Sequence, residues 1–170
     1  FIFRLVEEND AEDLFGCYAD PKSAKIFNSD SCNTNFIFES IEELKKYVKF
    51  WLTEYQQRRY IRFSIVDKSK AKAVGTIEMF AKKEIFETFG RVGLLRIDLT
   101  SFYETSDYIT EILDIVDRHF FDAFEVDNII TKAIPDAITG IEALKINKYE
   151  KTENKTVAPY DHYYLKPKNY

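Results

Sequence analysis

With 170 residues and a formal net charge of -5, the chain can bury one sizeable core but lacks the positive charge that a phosphate-backbone partner requires. Hydrophobic residues at 45% and aromatics at 16%, with 15 Phe and 11 Tyr, exclude a disordered chain. Five Gly and four Pro point to regular elements joined by short loops.

Basic pairs such as Lys45-Lys46 and Arg58-Arg59 stand near acidic residues and read as solvated surface, so no nucleic acid partner is expected. Cys17 and Cys32 are too few for a disulfide framework and have no zinc-ligand spacing. Reduced thiols in a cytoplasmic protein without a metal are expected. No apolar run approaches the ~18 residues of a membrane span, and no basic-then-apolar leader is visible, so neither membrane nor secretion is expected. Phe1 in place of an initiator Met implies residues upstream.

In chain order, Phe1 to Val6 alternates as a first strand. Asn9 or Asp10 caps a helix to about Ala19, with Ala11, Leu14, Phe15 and Tyr18 on one face, and Asp20-Pro21 ends it. Residues 22 to 38 are poorly patterned, with a loop at Asn28-Ser29-Asp30-Ser31. Ser40-Ile41-Glu42-Glu43 has the spacing of a capping box, and the helix after it carries Leu44, Val48, Trp51, Leu52 and Tyr55 at helical spacing. Tyr60 to Val66 and Ala73 to Phe80 form a hairpin around Asp67-Lys68-Ser69-Lys70. Lys82 to Phe89 reads as a connection.

Leu94 to Leu99 reads as a strand, Thr100 to Asp107 as a polar turn without glycine, and Tyr108 to Phe121 as an amphipathic helix. In that helix Ile109, Ile112, Leu113, Val116 and Phe120 share one stripe. Asn128 to Ile134 is a strand, and a helix follows Pro135. Glu150 to Lys155 is a charged turn, and Pro159 to Leu165 is a last strand. No repeat or linker divides the chain. One α+β (mixed α/β) domain over 1–170, with a largely antiparallel sheet flanked by helices, is expected.

A helix that opens directly after a strand offers free backbone N–H groups and a positive dipole end, a ready site for phosphate. The order and spacing of these elements resemble the GNAT superfamily of N-acetyltransferases, most closely its ribosomal-protein N-terminal acetyltransferases of the RimJ/RimL type. Phe3-Arg4-Leu5 with Asp10 to Leu14 looks like that branch's first strand and helix. Trp51 sits where its second helix often carries one, and Ala73-Val74-Gly75-Thr76-Ile77 is similar to its "iGti" strand. Pro135, Ile141-Glu142-Ala143-Leu144 and Lys148-Tyr149 keep the spacing of Pro-Glu-Asn-x-x-Ser-Ile-x-x-Leu-x-x-x-Gly-Phe.

The resemblance implies acetyl-CoA as co-substrate, held by Ile97, Asp98 and Leu99 of the strand and by Glu104, Thr105, Ser106, Asp107, Tyr108 and Ile109 of the turn. The pyrophosphate signature Arg/Gln-x-x-Gly-x-Gly/Ala falls on Glu104 to Ile109, with Glu104, Asp107 and Ile109 at its three diagnostic positions. Ala137, Gly140 and Lys148 replace the second motif's Asn, Ser and Gly. Two carboxylates near a pyrophosphate are expected to weaken it: one charge pair at about 5 Å costs on the order of 3 kcal/mol at an effective dielectric of ~20. Thr105-Ser106-Asp107 also reads as a plain helix cap in which Asp107 bonds the first-turn amides.

Acyl transfer to an amine needs a base for the ammonium and an acid for the thiolate. Glu78 and Asp98 are candidate bases, against the alternative that each is an ordinary outward-facing strand carboxylate. His162, read into the last strand, is a candidate base or acid, against a partly buried structural role, and His119 reads as surface or core. Leu144 replaces the family's frequent tyrosine acid. Tyr103, Tyr108 and Tyr149 read as packing. The resemblance implies a small amine or a protein N-terminus as acceptor and allows a homodimer, while the acidic balance favours a cationic acceptor. A catalytically inactive member of the fold, binding a ligand or a protein, is the second reading.

Overall fold

The computed structural model describes residues 1–30, 32, 36–158 and 160–168, except for the side chain at position 83. Ser31 of the expected loop and Pro159 of the expected last strand lie outside them. The strands are β1 (Ile2–Leu5), β2 (Ile61–Asp67), β3 (Lys72–Phe86), β4 (Gly90–Leu99), β5 (Asn128–Lys132), β6 (Glu150–Thr152) and β7 (Tyr163–Pro167). The helices are α1 (Asp10–Tyr18), α2 (Pro21–Ala24), α3 (Ile41–Gln56), α4 (Ser106–Ala123) and α5 (Ile138–Ile146). Strand order is β1-β2-β3-β4-β5-β7-β6. The β1/β2, β2/β3, β5/β7 and β6/β7 pairs are antiparallel and β4/β5 is parallel. This is the mixed, mostly antiparallel sheet that the sequence predicts.

The residues group into two compact units, Phe1–Met79 with Arg96–Glu104, and Phe80–Leu95 with Thr105–Tyr170; β3 and β4 pass through both. In the first unit, Arg4 of β1 clamps the Asp10 carboxylate at 2.5 and 2.8 Å, and Ser64 of β2 donates to the same group at 2.6 Å. Burial pushes that carboxyl up, but the bonds from Arg4, Ser64 and the Glu7 amide outweigh it and hold it below the ordinary range. Asp10 is therefore a buried anchor and not a cap; Asn9 precedes the helix without a side-chain cap bond. Asp20 ends α1 and starts α2, accepting from the Lys22 amide at 2.8 Å.

Ser40 caps α3 through the Glu43 amide at 3.2 Å. The return half of the box reaches Glu39, whose amide donates to Glu43 at 3.0 Å. Leu44, Val48 and Trp51 of α3 bury against Leu14, Cys17 and Tyr18 of α1, whereas Tyr55 at the end of the helix is exposed. Gly75 of β3 lies against the backbone of Asp98 and Leu99, where a Cβ would overlap the Asp98 carbonyl oxygen.

In the second unit Thr105, not Asp107, is the N-cap of α4: its hydroxyl accepts from the Tyr108 amide at 3.4 Å and its carbonyl from the Ile109 amide at 3.0 Å. The expected stripe of Ile109, Ile112, Leu113, Val116 and Phe120 is buried, and α4 packs against α5. Residues 82–89 are not a simple connection: β3 continues to Phe86 and β4 begins at Gly90. The consecutive residues Glu84 and Ile85 point to opposite faces of the strand and are both exposed, so solvent reaches both sides of this stretch and charge is tolerated there. Glu150–Thr152 is a strand rather than a turn, because β7 supplies backbone partners along it. The last strand starts at Tyr163, so His162 precedes it, in the left-handed region at φ 66.

Candidate functional site

Strand geometry builds the site in the first unit. Side chains two residues apart share a sheet face, so Arg62 with Ser64, Thr76 with Glu78, and Arg96 with Asp98 are paired by period. The register sets Arg62 opposite Glu78 and Ser64 opposite Thr76. The Arg62 guanidinium donates to Glu78 through Nη2, and through Nη1 to the Tyr18 hydroxyl at 2.9 Å, Thr76 Oγ1 at 3.0 Å and Asp98 at 3.2 Å. The Tyr18 hydroxyl donates in turn to Asp98 at 2.8 Å. Trp51 covers this guanidinium, its ring centroid 4.4 Å away, a cation–π contact in a desolvated setting.

Glu78 and Asp98 are thus 3% and 4% exposed. The outward-facing alternative fails for both, because the cation that compensates them comes from another strand. Burial pushes the Asp98 carboxyl up, against the pull of Arg62 and the Tyr18 bond. Burial also raises the Tyr18 hydroxyl well above its ordinary value, and the Asp98 charge adds to it.

Above this network lies a cavity of about 530 Å³. Phe36, Tyr47, Phe50, Trp51 and Tyr60 give it aromatic walls, Arg62 and Glu78 supply buried charge, and Arg96 adds a half-buried one. Lys46 and Cys32 complete it. Arg96 donates to the Asp30 carbonyl at 2.8 Å and to Glu78 at 3.4 Å. Burial and the neighbouring Glu78 push the Tyr60 hydroxyl up to about 12, so it remains a proton donor across the neutral range. Among the described residues, three cationic side chains and one carboxylate line the cavity, opposite in sign to the chain as a whole. The expectation that the acidic balance favours a cationic acceptor does not hold at this cavity.

The remaining candidates lie elsewhere. His162 is half-buried in the second unit, where its carbonyl accepts from the Ala133 amide at 3.0 Å. His119 is exposed on α4. Ile97 is half-buried and Leu99 fully buried on β4. Tyr103 does more than pack: its hydroxyl donates to Asp67 at 2.5 Å and accepts from Lys70 at 2.8 Å. Tyr149 donates to Asp117 at 3.3 Å, and Tyr108 is half-buried.

The turn differs electrostatically from its expected state. Burial, with the Asp98 charge second, pushes the Glu104 carboxyl from 4.5 up to about 8, so it is mostly neutral at pH 7. Asp107 is exposed in the first turn of α4 and makes no cap. On the same helix the hydroxyls of Ser106 and Thr110, four residues apart on one face, are buried with no hydrogen-bond partner among the described residues. Two orphaned hydroxyls at the start of an 18-residue helix are donors that a pyrophosphate would satisfy, so these residues fit the expected acetyl-CoA. No group of three or more His, Cys, Asp or Glu side chains that could hold a metal ion occurs among the described residues.

Arg62, Arg96, Lys46 and the aromatic walls were not read as site residues from the sequence. The available signal was period two in Arg62-x-Ser64, Thr76-x-Glu78 and Arg96-x-Asp98, polar pairs alternating with apolar residues in three strands. Alternation alone assigns such pairs to solvent, and only the third dimension reverses that reading.

Comparison with known proteins agrees with this architecture. Ribosomal-protein-S5-alanine acetyltransferase from Vibrio fischeri superposes with a TM-score of 0.67 at 16% identity, over 98% of this chain and 92% of that one. A GNAT-family acetyltransferase from Bacillus anthracis gives 0.69 at 16%, over 98% and 93%. Spermidine N-acetyltransferase from Vibrio cholerae, in complex with CoA and spermine, gives 0.70 at 10%, over 98% and 95%. At such identities these likenesses show the fold. No curated protein matches the chain in sequence. The model of the acetyltransferase (GNAT) domain matches residues 1–138, and the chain belongs to that family.

Proposed function

We propose that this GNAT-family protein transfers the acetyl group of acetyl-CoA to the primary amine of an acceptor held in the first unit's cavity, a small amine or a protein N-terminus. The observation that carries the reading is Glu78, the one carboxylate among the described residues that line an aromatic cavity of about 530 Å³. A thioester donor supplies the activated acyl carbon; Ser106 and Thr110 are the residues that would hold its pyrophosphate. Glu78 accepts hydrogen bonds from the acceptor's ammonium through the oxygen that Arg96 holds only at 3.4 Å, orients it, and takes the proton that the amine gives up before its nitrogen bonds the acyl carbon and the C–S bond breaks. The aromatic walls exclude water and keep the amine's lone pair available once its proton has left. The Tyr60 hydroxyl, still protonated, is the cavity's neutral proton donor.

The test is thiol release from acetyl-CoA in the presence of L-phenylalanine, phenethylamine, spermidine or a short peptide with a free N-terminus. Amine-dependent release, reduced about 100-fold or more by Glu78→Gln in folded protein, supports the proposal. No release with any acceptor, together with no calorimetric binding of acetyl-CoA, would sink it.

A binding module without catalysis is the second reading. It is favoured by the double pairing of Glu78 with Arg62 and Arg96, which engages both of its carboxylate oxygens within the protein. Amine binding without thiol release would select it. A reducing, cytoplasmic setting is part of the proposal and fits the two free cysteines.

A further inference from the structure

The cavity's charge is unbalanced in a way that names its ligand. Arg62 and Arg96 share Glu78, and Asp98 lies behind Arg62. With Lys46 also at the cavity, cations outnumber carboxylates even when Asp98 is counted as ionised. The guanidinium groups are also incompletely bonded: Nε of Arg62 and Nε of Arg96 are buried and have no hydrogen-bond partner among the described residues. A buried guanidinium short of acceptors is costly, and the group that relieves it is a planar anion, which Arg recognises better than any other side chain does. The walls meanwhile suit a flat or bulky apolar body, with Tyr47, Phe50 and Trp51 of α3 and Tyr60, just before β2, facing one space.

We propose that the acceptor is an amine joined to both an aromatic or bulky apolar body and a carboxylate, as in an aromatic amino acid, its carboxylate on Arg96 and Lys46 and its amine on Glu78. This rests on the cavity being the acceptor site, and it narrows the acceptor class. A polyamine meets three cations and one carboxylate here and is disfavoured. An amine without an anionic group leaves the arginines as they are.

Calorimetry on the full chain separates these classes without depending on catalysis. L-phenylalanine should bind at least tenfold more tightly than phenethylamine, which lacks only the carboxylate, and spermidine should bind most weakly. Arg96→Gln should remove most of that preference. Lys46→Gln, at an exposed position where folding is not at risk, should reduce it about threefold. Equal or tighter binding of phenethylamine, tighter binding of spermidine, or no binding of any of the three would overturn the proposal. Thiol release reports separately on the transfer reaction. Phenylalanine bound with the stated preference but never acetylated removes the transferase reading and leaves only the ligand class of the cavity standing; phenethylamine bound as tightly and acetylated as well overturns the ligand class and leaves the transferase reading standing.

Discussion

Tyr18 and Asp98, 80 residues apart in sequence, share a 2.8 Å hydrogen bond in the interior of the first unit. Through it α1 is tied to β4, and both residues also contact the same Arg62 nitrogen. The Tyr18 ring packs against Phe27, Phe38 and Trp51, so one side chain serves an aromatic cluster at its faces and a charge network at its tip.

Removing one member of that network should cost according to what is left behind. Tyr18→Phe deletes a hydroxyl while Asp98 keeps Arg62, and about 1–2 kcal/mol is expected. Arg62→Met leaves two buried carboxylates without their shared cation, and about 3–5 kcal/mol is expected. Urea denaturation of the two variants checks the order; equal losses would mean that Arg62 does not hold the network together.

Val116→Asp places an unpaired charge in the buried stripe of α4, and a loss of several kcal/mol is expected in the same measurement. An unchanged midpoint would remove this helix face from the core.

The second helical motif carries two repairable positions. Ala137 precedes α5 with no side-chain cap bond, and Lys148 follows it in the left-handed region at φ 62. Ala137→Asn should stabilise by about 1 kcal/mol through the missing cap, and Lys148→Gly by about 0.5–1 kcal/mol by relieving the backbone. Thermal unfolding should show both gains, which should add because the sites share no partner.

Glu104 should make stability fall with pH. Its folded carboxyl titrates at about 8 against an ordinary 4.5, so its protonated form stabilises the fold fully below about 4.5 and that contribution is lost as pH rises to about 8. The loss is on the order of a few kcal/mol. Glu104→Gln should therefore gain on the parent throughout that window and keep a constant lead above it. Acetyl-CoA affinity in the parent should weaken as pH rises through about 8, where the group in the folded protein becomes an anion near the pyrophosphate position that the family motif implies. A flat difference between parent and variant across the window would show that Glu104 is ionised in the folded protein.

Much of the fold was legible because it rests on local rules. The α4 stripe follows the helical period, the Ser40 cap follows its own side-chain chemistry, and the expected mostly antiparallel sheet is present. Lys148 shows how far spacing reaches: it stands where the family pattern has glycine, and its backbone takes the glycine conformation. The failures are non-local. Nothing next to Glu150 announces that β7 will pair with it, and nothing next to Glu78 or Asp98 announces Arg62. The cap on α4 passed from Asp107 to Thr105 because both residue types cap, and only the backbone decides where the helix starts.

Gly75 has a consequence for how tolerance to mutation would be read in this protein. Any side chain there meets the main chain of Asp98 and Leu99, and backbone cannot swing aside as a rotamer can. In a saturation scan the position should accept one letter and look as intolerant as Glu78, although it lines no part of the cavity. Its intolerance is spatial: it keeps β3 close enough to β4 for Thr76 and Asp98 to reach the same tyrosine hydroxyl.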